Sequence, residues 1–312
     1  MRHKVILDCD PGHDGALAIL LAAGDPRCEL LGITTVAGNH VLDQVTRNAG
    51  AVCAVAGIDV PIARGAARPL VREPIVAPGY PSGSTPDGPL LPEPQREPDS
   101  RSAPQFIVDT VLAHAPGAVS LVPTGPLTNV ALALALEPAL AGHLRQICLM
   151  GGTYTRGNRT PAAEFNILVD PEAADAVLSA PCPVTMVGLD LTYQVRADDG
   201  VRGRIRSIDG PVPRFVEELL AYVAAGNGEL GNPVPAVHDL CAVAAVVAPE
   251  IMTYREAFVA VELTGRWTTG MTVTDFDGRF GREANTSVAV SLDRDALWAM
   301  LIGAVERLGR AS

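Results

Sequence analysis

Residues 5–15 read VILDCDPGHDG, and this stretch decides both the fold class and the place of the functional site. The apolar run at 5–7 predicts a buried strand, which Pro11 and Gly12 end with a turn. The apolar residues 16–23 predict a helix directly afterwards. A buried strand followed by a short turn and a helix is typical of open α/β folds, whose ligands bind at the carboxyl ends of the strands.

Three carboxylates flank this turn. Asp8 and Asp10 have the same parity in an extended strand, so we expect their side chains on one face. Asp14 opens the helix and lies within about one helical turn of them. Three like charges at this spacing repel one another unless a cation or a hydroxyl-rich ligand lies between them, which favours a functional site. The alternative is a strand-end aspartate followed by an aspartate that caps the helix.

The composition argues against several classes of partner. The chain has 312 residues, of which 48% are hydrophobic, so it can bury a large core. Its formal net charge of −11 argues against nucleic acid and anionic membranes as partners. No apolar run reaches the length of a membrane span, and we expect no signal peptide before the first strand. The six cysteines contain no CxxC pair, which favours reduced core thiols in a cytoplasmic protein.

Strand and helix patterns alternate along the rest of the chain. The segments at 30–36 and 119–122 read as strands, those at 42–56 and 127–136 as helices, and residues 258–276 as a hairpin. We therefore predict one domain over residues 1–312, an α/β fold with an open, mostly parallel Rossmann-like sheet and helices on both faces.

A proline-rich segment at about 69–100 interrupts this alternation. Nine prolines lie within residues 69–98, and the segment has little hydrophobic periodicity. Long irregular loops inside a domain are usually functional or disordered. We interpret the segment as a flap over the active site because the α/β pattern resumes directly after it; a linker is the alternative.

Three further polar clusters adjoin predicted strands or helices. Thr124 lies in the turn between a strand and an apolar helix, and a helix start is the alternative reading. Residues 164–166 read EFN, which suits a sugar, because amide and carboxylate groups bind hydroxyls and the ring covers an apolar face; ordinary loop polarity is the alternative. Asp239 precedes a very apolar helix, where a carboxylate must be paired, bound to metal or used as a cap. His238 beside it is a candidate acid–base group.

In this order, the clusters resemble the inosine-uridine preferring nucleoside hydrolases over nearly the whole chain. The segments that carry the resemblance are DCDPGHDG (8–15), TTVAGN (34–39), VPTGPLTN (122–129), MGG (150–152), EFN (164–166) and VHDLCAV (237–243). Members of that family have an open α/β fold and hydrolyse the N-glycosidic bond of ribonucleosides with a Ca²⁺-activated water. The phosphotransferases that carry clustered aspartates are a poorer match, because residues 8–15 contain no basic group for a phosphate.

The resemblance implies a Ca²⁺ site and a ribonucleoside site. Asp10 would bind Ca²⁺ and act as the base that activates the water, and His238 would lie near the leaving base. The remaining implied roles are further Ca²⁺ ligation by Asp239 and the carbonyl of Thr124, support of that site by Asp8, and substrate contacts from Asp14, Asn39, Asn158, Glu164, Phe165, Asn166 and Asp239. The resemblance also implies a homodimer or homotetramer.

The chain departs from the family pattern at several positions. Gly15 stands where the family carries a Ca²⁺-binding aspartate, so we expect weaker Ca²⁺ binding, since affinity follows ligand charge and number. Either water fills the gap, or Asp8 or Asp14 takes over, or the protein binds ribosides without cleaving them. Ser82–Gly83 is the counterpart of a His-Gly pair that the family usually carries in the flap, and Tyr193 stands where a histidine is frequent. Both departures would affect base preference or remove a leaving-group acid. Tyr222 is a further candidate for stacking on the base.

Overall fold

The computed structural model describes residues 2–75, 91–229 and 236–311. Within these ranges, nine strands form one sheet in the order β3-β2-β1-β4-β5-β6-β9-β7-β8. The strands are His3–Cys9 (β1), Cys28–Thr35 (β2), Ile62–Arg64 (β3), Val119–Pro123 (β4), Gln146–Met150 (β5), Val184–Val187 (β6), Met252–Val261 (β7), Thr272–Asp275 (β8) and Thr286–Leu292 (β9).

Helices connect most of the strands. Those in the described ranges are His13–Gly24 (α1), Leu42–Ala56 (α2), Ala103–Leu112 (α3), Thr128–Leu136 (α4), Leu140–His143 (α5), Phe165–Val169 (α6), Pro171–Leu178 (α7), Leu189–Thr192 (α8), Asp199–Arg206 (α9), Pro211–Glu229 (α10), Leu240–Val247 (α11) and Arg294–Ala311 (α12). In these ranges every helix is too short or too polar to span a lipid bilayer.

The sheet is mostly parallel, as predicted. Along the sheet from β3 through β2, β1, β4, β5 and β6 to β9, every pair of neighbouring strands is parallel, whereas β7 pairs antiparallel with both β9 and β8. Strand β1 is buried on both faces: Val5 and Leu7 pack into one hydrophobic cluster, and Ile6 packs into a second cluster on the other face. Helices α1, α11 and α12 contribute to the first cluster and α3, α4 and α7 to the second, so helices cover both faces of the sheet.

The strand order reverses at β1, and this reversal positions the candidate site. The chain proceeds from β1 to β2 on one side and returns to β4 on the other. Asp8 is in register with Thr34 of β2 and Pro123 of β4. The loops that follow these three strands therefore meet at one carboxyl edge, where open α/β sheets bind their ligands.

Several parts of the chain differ from the sequence analysis or lie outside the described residues. We assigned no element between residues 188 and 236, but the structure has α8, α9 and α10 there. The described parts of the proposed flap, residues 69–75 and 91–100, contain no helix, and the backbone N–H of Leu70 donates to Asp170 Oδ2 at 2.9 Å. Residues 76–90, and with them Ser82 and Gly83, lie outside the described residues.

Candidate active site

Asp8 is a fully buried carboxylate at the carboxyl end of β1. Its Oδ1 accepts hydrogen bonds from Thr34 Oγ1 at 2.6 Å and Asn129 Nδ2 at 2.7 Å. Its Oδ2 is buried and has no hydrogen-bond partner among the described residues. Burial raises the pKa of Asp8 to about 7 in spite of these two hydrogen bonds. Asp8 thus joins β1 to β2 and α4 while one of its oxygens stays unpartnered.

Asp10 follows β1 directly and is also buried. Its Oδ2 accepts the backbone N–H of Asn39 at 2.7 Å, and Asn39 Nδ2 donates to the Asp10 carbonyl at 3.1 Å. Its Oδ1 has no hydrogen-bond partner in the described ranges. A Cβ added at Gly38 would collide with Asp10 Oδ2, and one added at Gly125 would lie 3.0 Å from Oδ1. Backbone therefore encloses this carboxylate on two sides.

Asp14 is in the first turn of α1 but does not cap the helix. The N-cap position is Gly12, with no side-chain cap, so the capping alternative is wrong for Asp14. Asp14 Oδ2 instead accepts the backbone N–H of His238 at 3.3 Å. This contact connects the first carboxylate cluster to the His238–Asp239 segment, which is more than 220 residues away in sequence.

Asp239 is buried at the start of α11, and its side chain makes no capping hydrogen bond there. Burial raises its pKa well above the usual range, and the negative charges of Asp14 and Asp10 raise it further. The pKa of Asp10 is raised in the same way, first by burial and then by Asp14. A Cβ added at Gly15 would lie 3.3 Å from Asp239 Oδ2, so position 15 faces this cluster.

Thr124 and Asn166 connect the loop after β4 to α6. The backbone N–H of Thr124 donates to the Asp8 carbonyl at 2.7 Å. Asn166 Nδ2 donates to the carbonyls of Thr124 at 3.2 Å and Met150 at 3.1 Å. The Thr124 carbonyl is therefore fixed beside the carboxylate cluster.

Glu164 is a buried carboxylate that caps α6. Its Oε2 accepts the backbone N–H groups of Gly152 at 3.1 Å and Ile167 at 3.2 Å. Burial raises its pKa to about 7 against these hydrogen bonds. Asn158 Oδ1 accepts the backbone N–H of Phe165 at 2.9 Å, while the Phe165 ring is half-buried. The EFN cluster is thus an ordered helix start.

His238 is partly exposed, and two neighbours orient its ring. Its Nδ1 lies 2.7 Å from Thr192 Oγ1 at the end of α8. The Tyr193 ring meets the imidazole edge to face, with the centroids 5.5 Å apart. Burial lowers the pKa of His238. The other aromatic candidate, Tyr222, lies against His13 with the ring centroids 4.7 Å apart.

The donors around Asp10 suit a hard cation. Asp10 Oδ1, the Asp239 carboxylate and the Thr124 carbonyl are oxygen donors, the kind that Ca²⁺ prefers. Asp10 and Asp239 are buried carboxylates whose pKa values are raised by burial and by neighbouring negative charge, and Asp10 Oδ1 is unpartnered, which fits a positive charge beside them. Within the described ranges, no three His, Cys, Asp or Glu side chains form a group that could hold a metal ion.

Sequence reasoning missed several supporting residues. We quoted the segments that contain Thr34 and Asn129 without assigning a role to either, although a polar residue in an apolar strand or helix is a usable signal. Asp190 was also missed: it accepts hydrogen bonds from Thr153 Oγ1 at 2.9 Å and from the Tyr154 backbone N–H at 2.8 Å, and so holds the loop after β5.

Comparison with known proteins agrees with this geometry. The family model "Inosine-uridine preferring nucleoside hydrolase" matches residues 5–299. The chain therefore belongs to the inosine-uridine preferring nucleoside hydrolase family, and it is an enzyme of the ribonucleoside hydrolase class.

Individual relatives match over nearly their full length. The inosine-uridine preferring nucleoside hydrolase of Crithidia fasciculata is 46% identical over 99% of both chains. The pyrimidine-specific ribonucleoside hydrolase RihA of Shewanella woodyi is 42% identical over 99% of this chain and 100% of its own. Among solved structures, an inosine-guanosine nucleoside hydrolase superposes with a TM-score of 0.89 at 33% identity, covering 98% of this chain and 99% of its own.

Proposed function

We propose that the protein hydrolyses the N-glycosidic bond of a ribonucleoside to ribose and free base, with a water activated at a Ca²⁺ site formed by Asp10, Asp239 and the Thr124 carbonyl. The observation that best supports this proposal is the buried, unpartnered Oδ1 of Asp10. It belongs to a carboxylate whose pKa is raised by burial and by neighbouring negative charge. Such an atom is costly to bury unless a ligand or an ion completes its contacts.

Asp10 acts as the general base in this proposal. It accepts a proton from the water that attacks C1′, while the C1′–N bond breaks and its electron pair passes to the base. Ca²⁺, when bound, would act as a Lewis acid that lowers the pKa of water. Asn39 keeps Asp10 oriented because it donates to both the carboxylate and the backbone carbonyl. Asp8 supports the same loop through Thr34 and Asn129.

The remaining polar groups bind the ribosyl part of the substrate. Asp14, Asn39, Asn166 and Asp239 serve the 2′- and 3′-hydroxyls, and Asn158 and Glu164 serve the 5′-hydroxyl. The half-buried Phe165 ring covers an apolar face of the sugar. As the bond breaks, positive charge develops on the ribosyl ring, and nearby carboxylates stabilise it. His238 lies near the leaving base and stabilises its developing negative charge.

We expect reducing-sugar release from at least one of inosine, uridine, adenosine and cytidine, and we expect EDTA to abolish it. Because Gly15 supplies no carboxylate, half-maximal activity should require about 10⁻⁴ to 10⁻³ M Ca²⁺, in the range of weak Ca²⁺ sites. The measurement is ribose release across a Ca²⁺ titration for each nucleoside. Undiminished release in EDTA would contradict the Ca²⁺ proposal, and the ranking of the four substrates reports the base preference.

A catalytically impaired riboside-binding protein is the alternative that Gly15 favours. Calorimetry with each nucleoside separates the two, because binding without product release supports the alternative. The retention of Asp8, Asp10, Asp14, Asn166 and Asp239 together argues for hydrolysis.

Gly15→Asp should tighten Ca²⁺ binding by about tenfold or more, because it adds a charged ligand to the site. The added Cβ would lie 3.3 Å from Asp239 Oδ2, which directs the new carboxylate toward the cluster. Direct calorimetric titration with Ca²⁺ measures the change independently of turnover. Gly15→Asn is the matched control, since it adds similar volume without charge. Equal affinities in all three proteins would mean that the ion binds elsewhere.

We also propose that the protein is a single-domain homodimer or homotetramer that works in the cytoplasm. The sheet runs without interruption from β3 to β8, which supports one domain. Trp267 and Phe280 remain exposed on either side of β8, as is typical of a surface that another copy covers. The six cysteines are buried free thiols, in keeping with a reducing compartment. Light scattering measures the number of subunits.

A further inference from the structure

The side chain of Thr192 makes a short hydrogen bond with the candidate catalytic histidine. Thr192 Oγ1 and His238 Nδ1 are 2.7 Å apart, and Thr192 is fully buried. The two residues are 46 positions apart in sequence: Thr192 ends α8, which follows β6, and His238 lies in the loop that precedes α11. This contact determines what the opposite edge of the ring presents to a ligand.

The hydroxyl proton of Thr192 needs an acceptor because the group is buried. In the part of the chain that the structure describes, His238 Nδ1 is the hydrogen-bond partner of Thr192 Oγ1, and no further acceptor is recorded for it. A neutral imidazole with its lone pair on Nδ1 can therefore accept the hydrogen bond from the Thr192 hydroxyl. The ring proton is then on Nε2, since the hydrogen bond of one ring nitrogen decides the state of the other.

With the proton on Nδ1 instead, Thr192 would have to accept that hydrogen bond. Its own O–H would then lack an acceptor in a buried position, which costs free energy. The Nε2–H tautomer is therefore the favoured neutral form.

Thr192 itself is well fixed. Its backbone N–H donates to the Gly188 carbonyl at 3.1 Å, and that of Leu189 donates to the Gly152 carbonyl at 2.9 Å. The His238 end is fixed by its backbone N–H, which donates to Asp14 Oδ2, and by the Tyr193 ring edge to face. Both partners are held before any substrate arrives, as an oriented donor requires.

We propose that Thr192 is a positioning residue that holds His238 in the Nε2–H tautomer, so that the ring offers a hydrogen-bond donor to the departing base. This inference rests on the proposed function, since it assigns a direction to the His238–base contact. No proton changes atoms in this contact. When the C1′–N bond breaks and its electron pair moves to the base, the Nε2–H group stabilises the negative charge that develops there.

The first test reads the tautomer directly. Protein labelled with ¹⁵N-histidine is measured by NMR at about pH 8, where an ordinary imidazole is neutral, and the His238 signals are assigned by their loss in His238→Gln. We expect a protonated Nε2 and an unprotonated Nδ1 in the wild type and in Thr192→Ser, and a mixture of tautomers in Thr192→Val. A wild-type signal from protonated Nδ1 would overturn the proposal.

The second test separates a positioning role from a structural one. The substrates are inosine and 4-nitrophenyl β-D-ribofuranoside, whose leaving group departs without help from a donor. Thr192→Val should lower kcat for inosine by about tenfold or more, the lower end of effects for acid–base groups, and leave kcat for the nitrophenyl riboside nearly unchanged. Thr192→Ser should restore the inosine rate.

Thr286→Val is the matched control. Thr286 is also buried, and its hydroxyl donates to a side chain, Asn285 Oδ1, but it lies at the amino end of β9, away from the carboxyl edge. It should leave the ratio of the two rates unchanged. Equal losses of Thr192→Val on both substrates, or none on inosine, would overturn the positioning role. If the wild type cleaves neither substrate, the proposed function fails, whereas the NMR measurement still decides the tautomer.

Discussion

Asp10→Asn is expected to lower kcat/KM for nucleoside hydrolysis by about 10³-fold or more, since in the proposed mechanism it removes both the general base and a Ca²⁺ ligand. The substitution keeps the shape of the side chain. The amide oxygen of the new side chain still accepts the backbone N–H of Asn39, which bonds Asp10 Oδ2 in the wild type. What disappears is the negative charge at the buried Oδ1 position. The measurement is ribose release at saturating Ca²⁺.

The control variant is Asp295→Asn, which removes an exposed carboxylate in the first turn of α12. It should retain the wild-type rate. Thermal unfolding of Asp10→Asn checks that the fold is intact. A folded Asp10→Asn enzyme with near-normal kcat/KM would remove Asp10 from the mechanism and shift the role of the base to another carboxylate.

The second large effect is on stability. In EDTA, the free energy of unfolding should fall by about 4 kcal/mol between about pH 4 and pH 7 through Asp8 alone. Burial raises the pKa of Asp8 from 3.8 in the unfolded chain to about 7 in the folded protein. The folded state therefore holds a proton in this window that the unfolded chain has already released. The stabilising contribution of protonated Asp8 is fully present below the pKa of Asp8 in the unfolded chain. It is lost as pH rises through the pKa of Asp8 in the folded protein.

Asp8→Asn isolates this contribution because its amide does not titrate. The oxygen of the amide still accepts from Thr34 and Asn129, as Asp8 Oδ1 does. Urea unfolding of both proteins in EDTA at several pH values gives the difference in free energy. As pH rises, Asp8→Asn should become more stable relative to the wild type. Asp10 and Asp239 are present in both proteins, so their effect on the free energy of unfolding cancels in this difference. Parallel curves would mean that Asp8 ionises normally.

The sequence was sufficient to predict the α/β fold and the placement of Asp8, Asp10 and Asp14 around one turn, because both rest on local patterns. The apolar run before Asp8 and the apolar helix after Asp14 predicted β1, α1 and the strand edge between them. The parallel sheet followed from the alternation of strands and helices, and the hairpin of β7 and β8 from two short β-branched runs. Helices α9 and α10 carry charged residues and glycines, which weaken the same signal.

The hydrogen-bond partners of the site residues could not be predicted from the sequence, because the two members of each pair are far apart in it. Asn39 was predicted to contact the ribose, and the structure adds that both its backbone N–H and its side-chain amide donate to Asp10, 29 residues earlier. Asp14 had the position of a helix cap, and only the folded chain brings the His238 backbone to it. The hydroxyl of Thr192 gave no sign of its role, since its partner belongs to another loop.

The glycines around Asp10 have a consequence for how this enzyme can change. Any side chain at Gly38 or Gly125 would meet the Asp10 carboxylate itself, so we expect substitutions there to displace Asp10. Position 15 is different, since an added Cβ would meet Asp239 Oδ2 and Pro11 at 3.3 Å, contacts that a small adjustment relieves. Of these three glycines, the one in the first turn of α1 is therefore the one where a side chain can be added beside the carboxylates. Among these three glycines, an engineer has one position to vary and two to leave alone.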